Sequence, residues 1–234
     1  MSARLVLPAL FGLAMAVALA GLVLRFDWLC LPALLAGWYL ADLLSGLIHL
    51  ALDYHPCPAG KGLDEIFFYT GSRESADYLA RRAACMARLN AFQRVVFDFK
   101  THHPRPDALG RRSLGHQITP TLVLALPAAL VLDIAVVWGT GPGWTIALGT
   151  SLLLGSAFAQ HFHGSLHCPV VPAHIMLLRR VGLLMTPAAH QLHHDTLQRD
   201  FATNCGWSNP LVNRLFRFLR RRGMLDDAGL EPVG

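Results

Sequence analysis

Charge is scarce in this sequence: 15% of its 234 residues are Asp, Glu, Lys or Arg, against 53% that are hydrophobic. That balance excludes an ordinary water-soluble globule, in which about a quarter of the residues are charged. The five cysteines, Cys30, Cys57, Cys85, Cys168 and Cys205, form no CxxC pair and are odd in number. This excludes a disulfide framework and a zinc ribbon and fits a reducing compartment. Three catalytic signatures are missing as well: GxSxG of serine hydrolases, HExxH of zincins and CxxCH of attached haem. No flavin fingerprint and no internal repeat is visible, and the length suggests one domain over residues 1–234.

What the chain has instead is long uncharged runs. Leu5 to Leu24 is 20 residues without a charge, enough to cross a hydrocarbon core of about 30 Å at about 1.5 Å per residue. It exceeds a signal-peptide core and another apolar stretch follows at once, so it reads as a retained span. Further spans are expected from about Trp28 to Leu52, Ile118 to Trp138 and Trp144 to Gln160. GTGPG, Gly139 to Gly143, closes the last two into a tight helical hairpin. The expectation is an all-α integral membrane protein with about four transmembrane helices and a histidine-rich helical cap.

With four spans, Arg4, ten Lys and Arg residues from Lys61 to Arg112 and eight from Arg179 to Arg222 share one side, and Arg25 alone falls on the other. That asymmetry places both termini and the histidine clusters in the cytoplasm. Between the spans, Pro56 to Gly62 reads as a loop, Glu74 to Phe92 as a basic amphipathic helix and Ala173 to Met185 as an interfacial segment. Arg214 to Arg222 (RLFRFLRRR) reads as a surface helix against anionic headgroups rather than a nucleic-acid site.

Twelve histidines are the chemical signal. In HQLHH, His190, His193 and His194 stand at i, i+3 and i+4, within a helical arc of about 100°. His163 and His167 form an i, i+4 pair, the way a helix offers two ligands to one metal. His102 and His103 precede a proline, and His49 lies at the inner end of the second span with Asp53 one turn beyond. Asp42, His49 and Asp53 lie on one stripe, and ionisable groups entering a membrane mark function. A histidine pair in a loop is usually plain surface; the argument lies in four clusters on four segments at one membrane face. Eight histidines, with Asp53, His116 and Asp42 as further candidates, are about twice what one tetrahedral zinc uses. Imidazole suits several metals, but this number fits a two-metal centre, with iron the natural choice for dioxygen chemistry on an alkyl chain.

The order of motifs resembles the Kua, or plasmanylethanolamine desaturase, family of membrane lipid desaturases, within the wider fatty acid desaturase and hydroxylase superfamily. The resemblance covers roughly residues 38–216. It rests on ADLLSGLIHLALD (Ala41 to Asp53), FKTHHPRP (Phe99 to Pro106), HGSLH (His163 to His167) and HQLHHDTLQRDFATNCGWSN (His190 to Asn209). It implies a diiron centre held by His49, His102, His103, His163, His167, His190, His193 and His194, with Asp53 as a ligand or the partner of one. It further implies a reaction in which O2 and two electrons remove hydrogens from a lipid chain, giving in that family the vinyl ether of plasmalogens.

Three departures mark a divergent branch. Arg111, Arg112, Ser113 and Leu114 stand where the family has RHDF, with His116 four residues beyond Arg112. An insertion occupies about Cys57 to Asn90, and Leu50 replaces the usual Trp after the first histidine. The expected partners are a membrane lipid and an external electron donor, a ferredoxin or b-type cytochrome. Hydroxylation by the same centre, and a non-catalytic desaturase-like protein, are the alternatives. His55, His161 and His174 have no expected role at the metals.

Overall fold

In a computed structural model, residues 3–234 are described, and among them every regular element is helical. In chain order these are α1 (Ala3–Leu24), α2 (Cys30–Tyr54), α3 (Leu63–Phe67), α4 (Ala76–Ala87), α5 (Ala91–Lys100), α6 (Asp107–Gly110), α7 (Leu114–Val137), α8 (Gly143–Ala157), α9 (Ala159–Leu166), α10 (Ala173–Arg180), α11 (Pro187–Thr196) and α12 (Asn209–Arg221), with a 3₁₀ turn at Asp227–Gly229. The chain divides into two compact units: Met1–Leu47 with Asp107–Asn213, and Ile48–Pro106 with Arg214–Gly234.

In the first unit α1, α2 and α7 are long and apolar enough to cross a membrane. They expose large apolar side chains such as Leu13, Leu35, Leu124 and Val131, as lipid-facing surfaces do. The fourth expected span is shorter than the sequence suggests. α8 has only 15 residues, about 22 Å at 1.5 Å per residue, and the chain breaks at Phe158 before starting α9.

Small residues draw the spans together. Phe11, Ala14, Met15 and Ala18 of α1 pack on Ile118, Leu122, Ala125 and Ala129 of α7 and on Leu153 and Ala157 of α8. Without a hydrophobic driving force between helices in lipid, such close packing and interhelical hydrogen bonds hold them. Ser151 Oγ donates to the Leu34 carbonyl at 2.7 Å, tying α8 to α2. The expected hairpin is present, with Gly139 and Gly141 at positive φ. Arg25 donates to the Val136 carbonyl at 2.7 Å, which also accepts from the Gly139 N–H at 3.2 Å.

The second unit contains the insertion, which has its own apolar core. Leu63, Ile66 and Phe67 of α3 and Tyr78 and Cys85 of α4 pack with Leu52, Val96 and Phe97. The single helix expected over Glu74 to Phe92 is two helices. α4 ends at Ala87, and α5 starts from Asn90, whose side chain and Gln93 form a reciprocal capping box. The interfacial segment expected over Ala173 to Met185 is helical only to Arg180.

The α2–α8 approach supplies a test. A Cβ on Gly37 would lie 2.3 Å from the Leu148 carbonyl oxygen, whereas one on Gly12 meets nothing within 4 Å. Gly37→Val should lower the thermal unfolding midpoint in detergent, the cost being about 1–3 kcal/mol of overpacking. Gly12→Val should leave the midpoint within the smaller range of exposed helix substitutions, and equal midpoints for the two variants would refute the close approach.

Candidate metal centre

Each unit carries its own group of histidines. In the first unit, Thr186 caps α11, its hydroxyl accepting from Ala189 N–H, and Pro187 takes the first helical position, where its missing N–H costs nothing. α11 thereby presents His190, His193 and His194 from one helix. α9 brings His163, and His167 is the residue that ends α9.

The ring nitrogens of His163, His167, His190 and His194 lie within 4.8 Å of one another. His190 Nε2 is 3.1 Å from His163 Nε2 and 3.1 Å from His194 Nε2. With metal–nitrogen bonds of about 2.1 Å, neighbouring nitrogens of an octahedral shell lie about 3.0 Å apart and those of a tetrahedral shell about 3.4 Å. Three buried or half-buried imidazoles converging at that spacing fit a cation.

His193 stacks on His190 at 5.5 Å between centroids, and its Nδ1 hydrogen-bonds the Arg199 carbonyl at 2.9 Å. A carbonyl accepts only from N–H, so this contact fixes the tautomer and leaves Nε2 as the ligand end.

In the second unit, His49 of α2 lies 3.3 Å from one Asp53 oxygen and His103 lies 3.3 Å from the other. Asp53 is fully buried, and so is His49 to 2% exposure. His102 and His103 occupy the turn after α5, and the His102 ring sits 4.3 Å from that of His103 and 5.8 Å from that of His49. His102 Nδ1 contacts the Phe99 carbonyl, the arrangement His193 uses. Burial, and then His103 and His49, hold the His102 pKa well below its ordinary value. The ring therefore stays neutral at pH 7, the form that binds metal.

Two of the further candidates fall elsewhere. His116 is exposed on the first turn of α7, outside both groups. Asp42 is fully buried, and its carboxylate is spent on the loop after α11. Oδ1 accepts from the backbone N–H groups of Cys205 and Gly206 at 2.8 and 2.9 Å, and Oδ2 from the N–H and hydroxyl of Ser208 at 2.9 and 2.7 Å. Asn209 brackets Ala202 on both its backbone groups, and Asn204 donates to the Gly155 carbonyl at 3.0 Å. Thus Gly206, Ser208 and Asn209 of the closing motif build a scaffold behind the histidine helix. Cys205 lies outside both histidine groups, and burial, aided by Asp42, pushes its thiol up to about 12. All five cysteines are free. His161 hydrogen-bonds Gln117 at 2.8 Å and stays outside the histidine groups.

Sequence reasoning gave Lys100 no role. It is fully buried, and its ammonium donates to the carbonyls of Asp53 and Gly229. Burial lowers its pKa and Asp53 opposes that shift. A lysine in register with the buried Val96 and Phe97 on the last turn of α5, two residues before a histidine pair, was the available signal.

The two kinds of carboxylate and histidine should separate experimentally. His190→Ala, which removes the ring that touches both His163 and His194, should cost about one metal ion per chain by elemental analysis while leaving the helical signal intact. Asp42→Ala strands three backbone N–H groups and a hydroxyl and should lower stability by at least about 3 kcal/mol, from costs of about 1–3 kcal/mol per stranded buried group. A stable Asp42→Ala protein that had merely lost metal would assign Asp42 to the ligands instead.

Comparison with known proteins agrees with this geometry. Residues 88–225 match the lipid desaturase domain family, a stretch that includes seven of the eight histidines and the Asp42-bound loop. The chain is 26% identical over 222 residues to a plasmanylethanolamine desaturase of Myxococcus xanthus, an alignment covering 88% of this chain and 67% of that protein. No solved structure matches. With its apolar spans, its buried histidine groups and more than half its length matched, this integral membrane protein belongs to the lipid desaturase domain family.

Proposed function

We propose that the chain is an O2-dependent lipid desaturase holding two irons and drawing electrons from a separate protein. The observation that carries the reading is the convergence of His163, His190 and His194 Nε2 atoms at 3.1 Å spacings on the family's own motifs. In this reading His163, His167, His190 and His194 hold one iron and His49, Asp53 and His103 the other, with His102 and His193 completing the set. When bound, the irons supply the oxidising power that breaks unactivated C–H bonds.

The protein's own contribution is orientation and dryness. The Arg199 carbonyl fixes His193, and Asp53 orients His49 and His103 through contacts of 3.3 Å. The buried imidazoles need no proton chemistry of their own; acid and base catalysis is not what this set is built for. The substrate class follows from the relative's name, which points to an alkyl ether phospholipid with an ethanolamine headgroup. The product is then a vinyl ether. Positive charge flanking the spans supports a cytoplasmic placement of both termini and the histidines.

Expression in a host that supplies alkyl ether lipids and a working donor tests the reading. Mass spectrometry should show lipids lighter by two hydrogens and, for the vinyl ether, cleavable by mild acid. Products carrying one extra oxygen would make the enzyme a hydroxylase. A protein loaded with two irons and reduced donor that changed no lipid would overturn the reading.

A further inference from the structure

α12 has two sides with different fates. At about 100° per residue, Arg214, Arg217, Phe218 and Arg221 fall within an arc of about 100°, and all four are exposed. Arg222 extends the row, its guanidinium stacked 5.3 Å over the Phe218 ring. The four arginines in this row make no ion pair with a carboxylate among the described residues, whereas Arg220, off the row, is doubly bonded to Asp227 at 2.6 and 2.8 Å. On the opposite side of the helix Phe216 is buried and packs on Tyr54 at 5.5 Å between centroids. An interfacial helix keeps its apolar side for lipid. Here the side bearing Phe216 is used inside the protein, and the outward row sets guanidinium groups beside the exposed Leu211 and Phe218.

Beneath this row lies a direct path. Tyr54 is buried and follows Asp53 in the chain, and the Asp53 carboxylate lies 3.3 Å from both His49 and His103. Phe216, Tyr54 and Asp53 thus form a buried run from α12 to the histidine group of the same unit.

We propose that the arginine face of α12 docks an acidic one-electron carrier protein, whose electrons reach the His49, Asp53 and His103 group by way of Phe216 and Tyr54. The proposal rests on the desaturase reading, which creates the need for electrons. Reducing O2 to two waters takes four electrons and four protons. Forming one C=C bond breaks two C–H bonds and supplies two electrons and two protons. The carrier must supply the other two electrons, one at a time, and the solvent the other two protons. An anionic lipid headgroup matches the arginines equally in charge, but it leaves the aromatic run beneath them without a use.

The test measures carrier binding to the full chain in phosphatidylcholine nanodiscs, with an acidic [2Fe–2S] ferredoxin and a soluble acidic b-type cytochrome as probes. Arg217→Glu with Arg221→Glu should weaken the Kd of a binding carrier at least about tenfold at low salt and flatten its salt dependence. The control, Arg81→Glu with Arg88→Glu on α4, changes net charge equally and should leave the Kd unmoved. Phe216→Leu should keep the Kd and metal content while the bound, reduced carrier is oxidised several-fold more slowly. Failure of both carriers to bind, or equal losses in the two charge-reversed variants, would overturn the docking face. A loss confined to binding of phosphatidylserine vesicles would also overturn it, assigning α12 to lipid. An unchanged oxidation rate in Phe216→Leu would overturn the route. Metal content and lipid products of the unaltered chain are scored separately, so failure of the desaturase reading shows there and not in the Kd.

Discussion

A carboxylate inside an apolar helix has to be answered by donors, and Asp42 is answered by four. In lipid surroundings an unanswered charge is too costly to keep, so the loop at 205–208 is held against α2 by necessity. That loop follows the histidine helix α11 and is itself braced by Asn204 and Asn209. The position of His190, His193 and His194 therefore depends on a residue with no part in ligand chemistry. The same logic operates on the other group of histidines, where Lys100 closes two backbone carbonyls from a fully buried position.

Both polar anchors serve a common end. An imidazole is useful to a metal only if its free nitrogen points the right way in the right tautomer. His193 and His102 obtain this from backbone carbonyls, and His49 and His103 from Asp53. Ligand groups built on short helix ends and turns need such bracing more than groups built mid-helix, and His102, His103 and His167 all sit in or at turns. The residues just past the histidines serve this end too: Gly206, Ser208 and Asn209 are held in the scaffold and lie outside both histidine groups.

Much of this was legible in the residues alone. Spans α1, α2 and α7 followed from apolar length, the GTGPG hairpin from its glycines, and the grouping of histidines from i, i+3, i+4 spacing. The role of Asp42 was not, because its partners are more than 160 positions away and a stripe shared with His49 and Asp53 says nothing about what each faces. The break after Ala157 escaped because Phe158 and Ala159 carry the apolar run across it, past the Gly155–Ser156 pair. The start of α5 at Asn90 was readable, since Asn90 and Gln93 have the capping-box spacing, but the run of basic residues on both sides masked it. Lys100 was hidden by its type: lysine is expected at the surface.

The bond between Asp42 and the loop at 205–208 also orders events in time. α2 is made more than 160 residues before the matching N–H groups, and its carboxylate must wait for them. Until then a buried charge is unsatisfied in the membrane, a state that the nascent helix relieves by staying near the interface or in contact with water. Closure of so long a loop is slow relative to local helix formation. The support behind the histidine group is consequently complete only after synthesis has passed Ser208. A chain that stalls or is cut short of that point has its grouped histidines and not the Asp42-bound loop that aims those of α11.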